Sequence, residues 1–339
     1  MTAVLTNHRK EHFGLRPMDP LQDLSGVADL IEKAFASELD RSGYKALREL
    51  RWLSRLRPLL WWMIYTNSDH NDFLSGFVWE EDGKIVGNIT INRTSPGSRR
   101  WLVSNLAVDK AYQGRGIAHS LMYAGLELVK EYNGSATSLQ VRADNKAARH
   151  IYETLNFVEI SGTTYLRIWP VPRINPRLEL GQLPKGLRLR PRTPSSLDTR
   201  QAHNLAVAAT PLKTQKEWPL RQTSFRLGPQ SQIQGFFRRL IGSGPTAHWV
   251  IEDGTRFVSL VNIQPGTMGK MHRINLIVHP DWRGYLERPL ISRALNYLSP
   301  WRNTGITIQN PTDHQEAIKV YQEFGFEEVQ TLLWMKRDM

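Results

Sequence analysis

Residues 105–118, NLAVDKAYQGRGIA, decide how this chain is read. The apolar run Leu102 to Val108 has the composition of a strand, Asp109 and Lys110 break it, and Gln113-Gly114-Arg115-Gly116-Ile117-Ala118 leads into a helix. Ile117, Leu121, Ala124, Gly125 and Leu128 recur at helical spacing, whereas Glu127, Lys130 and Glu131 fall on the other side. The segment is therefore strand, glycine-rich turn and helix start. A helix start leaves backbone N–H groups unpaired and carries partial positive charge, so residues without side chains let a phosphate approach closely. The expected ligand of this turn is a pyrophosphate.

Two common phosphate loops do not fit. A Walker loop needs Lys and Ser or Thr after its last glycine, and Ile117 and Ala118 stand there instead. A dinucleotide fingerprint needs three glycines spaced G-x-G-x-x-G, and only Gly114 and Gly116 match. The spacing that does match is Gln/Arg-x-x-Gly-x-Gly/Ala, filled by Gln113, Gly116 and Ala118. Leu106 and Val108 precede it, and Asn145, Ala148, Tyr152 and Phe157 follow in an N-x-x-A-x-x-x-Y run. Together these residues resemble the acetyl-CoA signature of the GNAT superfamily of N-acetyltransferases. Asn156 stands where that family usually has Gly, at a helix end where Asn also tolerates the left-handed conformation.

Working outward, Leu15-Arg16-Pro17 reads as a first strand and Leu21 to Leu39 as a helix with Leu24, Val27, Leu30, Ile31, Ala34 and Phe35 on its apolar face. A second helix is expected over Tyr44 to Tyr65; its Trp61 and Trp62 read more readily as a buried or interface pair than as pocket walls. Phe77 to Trp79 and Ile85 to Ile91 form a hairpin around Asp82-Gly83. Ser138 to Arg142 is a strand, Asn145 to Leu155 a helix and Val158 to Trp169 a closing strand. This order is that of the resembled family, and the resemblance covers Leu15 to Trp169.

Pro170 to Gly186, with four prolines and two glycines, reads as a linker. The sequence then repeats at an interval of about 170 residues. Leu189-Arg190-Pro191 echoes Leu15-Arg16-Pro17, and Glu252-Asp253-Gly254 echoes Glu81-Asp82-Gly83. Asn275-Leu276 with Val278 echoes Asn105-Leu106 with Val108, and Tyr321 with Phe326 echoes Tyr152 with Phe157. The expected fold class is therefore α/β (α+β), two tandem GNAT domains over residues 1–169 and 187–339, each a mixed, mostly antiparallel sheet flanked by helices. In the second copy Leu286 replaces Gly116, Arg288 replaces Ala118, Glu287 brings negative charge to the anion position and Pro289 supplies no N–H. The second copy is expected not to bind acetyl-CoA.

The resemblance implies acetyl-CoA as cosubstrate, with direct transfer to an amine. The implied cofactor contacts are Leu106, Ala107 and Val108 for the thioester and pantetheine, Gln113, Gly114, Arg115, Gly116, Ile117, Ala118 and His119 for the pyrophosphate, and Asn145. Tyr152 is the implied general acid, with a core tyrosine as the competing reading. No metal is expected. The fourth strand carries no carboxylate from Trp101 to Asn105, so the base is left open among Asp69, His70, Asp72, Glu80 and a water relay.

Composition bounds the remaining classes. Forty per cent hydrophobic and 22% charged residues in 339 describe a folded protein of about two domains. No run approaches the roughly 20 apolar residues of a membrane helix, and residues 1–12 lack the apolar core of a secretory signal, so a cytoplasmic location is expected. The absence of cysteine excludes disulfides, thiolate metal sites and a cysteine nucleophile. The net charge of +12 is dispersed and joined by no nucleic-acid motif, so it reads as a solvated surface that helps hold the phosphates of CoA. The expected partner is a small-molecule or peptide amine. Other readings are a non-catalytic acetyl-CoA-binding regulator and a basic protein associating with nucleic acid or ribosomes.

Overall fold

The computed structural model describes residues 14–36, 44–45, 47–49, 51–52, 75–173, 183–227, 244–266 and 270–339. Most of the second expected helix, including Trp61 and Trp62, lies outside the described residues, as do Asp69, His70, Asp72 and residues 174–182 of the linker.

The chain forms two compact units. The first holds residues 1–141, 145–158 and 334–339. Its strands are β1 (Gly14–Pro17), β2 (Ser75–Glu81), β3 (Lys84–Arg93), β4 (Arg100–Val108) and β5 (Ala136–Arg142), adjacent in that order. All pairings are antiparallel except β4 with β5, which is parallel. Its helices are α1 (Pro20–Ala34), α2 (Ile117–Glu131) and α3 (Lys146–Thr154). Helix α1 starts one residue before the expected position because Pro20 suits a first helical turn and Asp19 caps it, accepting from the Leu21 N–H at 2.9 Å. It packs through Val27 and Ile31 on Met18, Val78 and Ile85.

Helix α2 lies against the other face of β3, and two glycines set how closely. A Cβ on Gly87 would meet Ile117 at 2.8 Å and Leu121 at 3.0 Å, and one on Gly125 would meet Ile91 at 2.2 Å. The buried stripe of α2 is Ile117, Leu121, Met122, Gly125, Leu126 and Val129, so it is rotated from the expected one, and Ala124 and Leu128 are only half-buried. The hairpin turn forms as read, with Asp82 and Gly83 both at positive φ, +51° and +73°.

The second unit holds residues 142–144 and 159–333. Its strands are β6 (Val158–Ile168), β7 (Leu187–Pro191), β8 (Ala247–Asp253), β9 (Arg256–Gln264), β10 (His272–Val278), β11 (Ile306–Pro311) and, as far as residue 333, β12 (Glu327–Asp338). Its helices are α4 (Ser196–Ala209), α5 (Leu212–Glu217), α6 (Glu287–Leu298) and α7 (Gln315–Glu323). The order β7-β8-β9-β10-β11, with only the last pair parallel, reproduces β1 to β5. A bulge recurs too, at Val86 in β3 and at Val258 in β9.

The strand read as closing the first repeat belongs to the second unit. There β6 pairs with β11 from Ile168↔Ile306 to Thr163↔Pro311. Residues 334–339 belong to the first unit, where the Met339 N–H donates to Ser135 O at 3.1 Å. A closing strand needs only a free edge and matching alternation, and either copy offers both. No described helix is long and apolar enough to cross a membrane.

Candidate functional site

The site of the first unit is built where β4 leaves β5. The two strands pair from Arg100↔Ala136 to Val103↔Leu139 and no further. Against β3, the register of β4 shifts at the same place, with Thr90 opposite Asn105 and Ile91 opposite Val103, so Ser104 is an extra, bulged residue. The Asp109 N–H donates to Val86 O at 2.9 Å, which fixes the alternation of the antiparallel ladder. Ala107 therefore turns its peptide groups to β3, and Leu106 and Val108 turn theirs to the open side.

A single 3-10 turn follows at Lys110–Tyr112, capped by Asp109 Oδ1 on the Ala111 N–H at 3.0 Å. Gly114 and Gly116 then adopt φ of +78° and +79°, a region that side chains with a Cβ resist. Gly116 is the N-cap of α2 and brings no side-chain cap, in contrast to Asp19 on α1 and Asn145 on α3. A Cβ at either glycine would meet nothing within 4 Å.

These parts enclose a cleft of about 440 Å³. Of the residues expected at a cofactor, Leu106, Val108, Gln113, Gly114, Gly116, Ile117, Ala118, His119 and Asn145 line it, together with Tyr152, the expected general acid. Ala107 does not: it is 3% exposed, with its backbone spent on β3. Arg115 also lies outside the lining, 3.6 Å from Glu81 and with its guanidinium 4.8 Å over the Tyr112 ring. Tyr112, Ala147 and Ile151 line the cleft without having been singled out. Tyr112 had no periodic signal in a turn, whereas Ala147 and Ile151 lie on the helix face shared by Ala148 and Tyr152 and could have been read from it.

Local bonds qualify several roles. The Gln113 amide donates to Val108 O at 3.2 Å, closing the turn on the strand that precedes it. Asn145 Oδ1 accepts from the Ala148 N–H at 3.0 Å, so this side chain starts α3 at the edge of the cleft. Tyr152 is 6% exposed, packs at 6.0 Å on Phe157, and burial pushes its phenol up to about 12. It stays neutral at any physiological pH.

Glu80 is held elsewhere. Arg16 donates from Nε to Glu80 at 2.8 Å and from its two terminal nitrogens to Asp23 at 2.6 and 2.8 Å. The second unit repeats this strut atom for atom, with Arg190 on Glu252 at 2.8 Å and on Asp198 at 2.8 and 2.9 Å. This feature, present in both copies, ties β1, β2 and α1 together in the first.

The corresponding place in the second unit is filled. Gly284 keeps positive φ at +86°, but Leu286, where Gly116 would be, has φ −105° and is fully buried. Glu287 does not present its charge to an open anion site as expected. It is fully buried, and its Oε1 lies 2.8 Å from Nε2 of His314, which stands where Asn145 stands in the first unit. Arg283, in the place of Gln113, donates to the carbonyls of Asp313 and Ala209 at 2.8 and 3.1 Å. Arg288 turns outward to Glu323 and Phe324. Tyr321 is buried against Phe326, and burial first and Glu287 second raise its pKa.

Residues 34–157 match the Acetyltransferase (GNAT) family. The N-alpha-acetyltransferase RimI of Mycobacterium tuberculosis is 34% identical over 96 residues, 27% of this chain and 56% of that protein. The uncharacterized N-acetyltransferase MJ1207 of Methanocaldococcus jannaschii is 28% identical over 141 residues, 40% of this chain and 57% of that protein. The chain thus spans a little over half the length of these relatives. Among solved structures, a GCN5-related N-acetyltransferase from Sphaerobacter thermophilus superposes with a TM-score of 0.58 at 16% identity, covering 97% of this chain and 96% of that one. The splayed β4 and the open glycine turn lie within residues 34–157, the stretch similar to the Acetyltransferase (GNAT) family.

Proposed function

We propose that this protein is an acetyl-CoA-dependent N-acetyltransferase whose first unit alone binds the cosubstrate and whose second unit is a degenerate copy. The observation that carries this reading is the contrast at one backbone position, left-handed and open at Gly116 but right-handed and filled at Leu286. The residues of the first cleft fit acetyl-CoA. Uncapped amides at Gly116, Ile117 and Ala118 suit a pyrophosphate, and the open-side N–H groups of Leu106 and Val108 suit a thioester carbonyl and a pantetheine amide.

Acetyl-CoA supplies an activated acetyl group. Transfer forms a C–N bond and breaks the C–S bond, the amine losing a proton and the sulfur gaining one. The Leu106 N–H would stabilise the carbonyl oxygen as negative charge grows on it. Tyr152 would face the departing sulfur. Its phenol is a weaker acid than a thiol, so its contribution is a hydrogen bond to the developing sulfur charge, with the proton exchanging with solvent. No described side chain on β4 is a carboxylate, which favours an acceptor that arrives as a neutral amine.

The acceptor class is a primary amine of a small molecule or peptide, taken directly in a ternary complex. Because curated relatives are N-alpha-acetyltransferases, a peptide α-amino group is the first acceptor to try. Calorimetric titration with acetyl-CoA tests the proposal. One site per chain supports it, two sites would show that the second cradle opens, and no binding would leave an inactive descendant of such an enzyme.

A further inference from the structure

On the acetyltransferase reading, we infer that the carboxamides of Asn88 and Asn105 form the acceptor-amine side of the site, on the sheet face opposite the cofactor cleft. Gly87 faces α2, so its neighbour Asn88 faces the other way, and there its Nδ2 lies 3.4 Å from Phe77 O and 3.9 Å from Met18 Sδ. Thr90 lies two residues on, on the same face, and Asn105 is its direct cross-strand partner. Asn105 directly follows the bulged Ser104, where β4 and β5 part, and precedes Leu106, whose N–H opens toward the cleft. The Oδ1 atoms of Asn88 and Asn105 are both enclosed and have no hydrogen-bond partner.

An enclosed, unpartnered carbonyl oxygen loses its hydration without compensation and so destabilises the fold. The second unit shows that the fold does not require it. The register of β8 and β9 puts Leu260 at the place of Asn88, and Leu260 is 1% exposed in an apolar cluster with Ala202, Leu205, Val250 and Phe257. Asn275, at the place of Asn105, is exposed on a strand whose pairing with β9 has no shift. So the buried oxygen of Asn88 and the bulge beside Asn105 occur in the copy with the open cleft and not in the copy with the filled one.

Amide oxygens only accept hydrogen bonds, so their ligand is a donor. An amine N–H is such a donor. An uncharged acceptor also orients the amine without raising its proton affinity as a carboxylate would, leaving the lone pair for the acetyl carbon. Both asparagines are thus positioning residues and take no proton themselves.

The test uses the full chain labelled with 15N-asparagine, coenzyme A as a cofactor that transfers nothing, and n-butylamine as the amine probe. Coenzyme A should move the Asn145 signals, and n-butylamine should then move the Asn88 and Asn105 carboxamides saturably. If Asn145 responds to coenzyme A but n-butylamine leaves both carboxamides in place, the inference fails and the acetyl-CoA reading stands. If Asn145 does not respond, both fail. Asn88→Leu installs the residue that packs at this place in the second unit; it should raise the n-butylamine midpoint about tenfold with coenzyme A affinity unchanged. An unchanged midpoint overturns the role of Asn88.

Discussion

The two cradles of this chain share strand order, a bulge early in the third strand, an Arg–Asp–Glu strut and a buried tyrosine packed on phenylalanine, yet one is open and the other is full. In the first, left-handed Gly116 lines a cleft with Ile117 and Ala118. In the second, Leu286 and the Glu287–His314 pair are buried. The Arg16 and Arg190 struts are common to both copies, whereas left-handed Gly116, the Ser104 bulge and the Asn88 oxygen occur only in the first and are the features the proposed ligands would use.

The sharpest way to break the comparison is to give the first cradle the second one's residue. Gly116→Leu forces a β-carbon into the left-handed region and puts bulk before the amides, and it should weaken acetyl-CoA binding at least about a hundredfold by calorimetry. Retained affinity would mean that the backbone at this position does not hold the phosphates. In the second cradle, Glu287→Ala leaves His314 buried without its partner and should cost the second unit about 3 kcal/mol in denaturant unfolding. It should leave binding stoichiometry at one, and a second site appearing would show that the pair alone keeps the cradle shut.

The paired tyrosines sharpen the contrast. Tyr152→Phe should lower kcat by about ten- to a hundredfold while acetyl-CoA affinity holds, and a parallel loss of both would reduce Tyr152 to packing. Tyr321 has an enclosed hydroxyl with no partner, so Tyr321→Phe should leave turnover alone and stabilise the second unit by about 1 kcal/mol. The smallest expected effect concerns pH. Burial works against the Asp198 carboxylate, but hydrogen bonds from Arg190 and Thr193 outweigh it and hold its pKa at about 2. A carboxylate lowered in the folded state stabilises above its unfolded pKa near 4 and loses that contribution as pH falls through about 2. Asp198→Asn should flatten acid unfolding of the second unit across that window; an unchanged acid limb would show that the strut contributes nothing to it.

Much of this was legible in the chain. The run from Leu106 to Tyr152 predicted strand, turn and two helices, and ten of the twelve residues expected at the site line the cleft. Glycine spacing and helical periodicity are local signals, and local signals are what a sequence displays. Ala107 was over-read because ladder alternation, which turns its peptide toward β3, is invisible until pairing is known. Glu80 stayed open as a base because its partner Arg16 is 64 residues away. Glu287 read as a negative charge at the anion position because burial beside His314 depends on two helices meeting.

By itself, the sequence determined that the chain is duplicated, that Gly114 and Gly116 punctuate a helix start, and that Leu286 to Pro289 differ from it in the second copy. Each follows from residue type and short spacing. The tertiary structure alone decided that Ser104 bulges and opens the gap beside β5, that Asn88 and Asn105 share the face away from α2, and that residues 159–168 and 334–339 close the unit other than their own repeat. Strand alternation is the same whichever edge a strand joins, so only contacts between distant residues could choose the edge and the register.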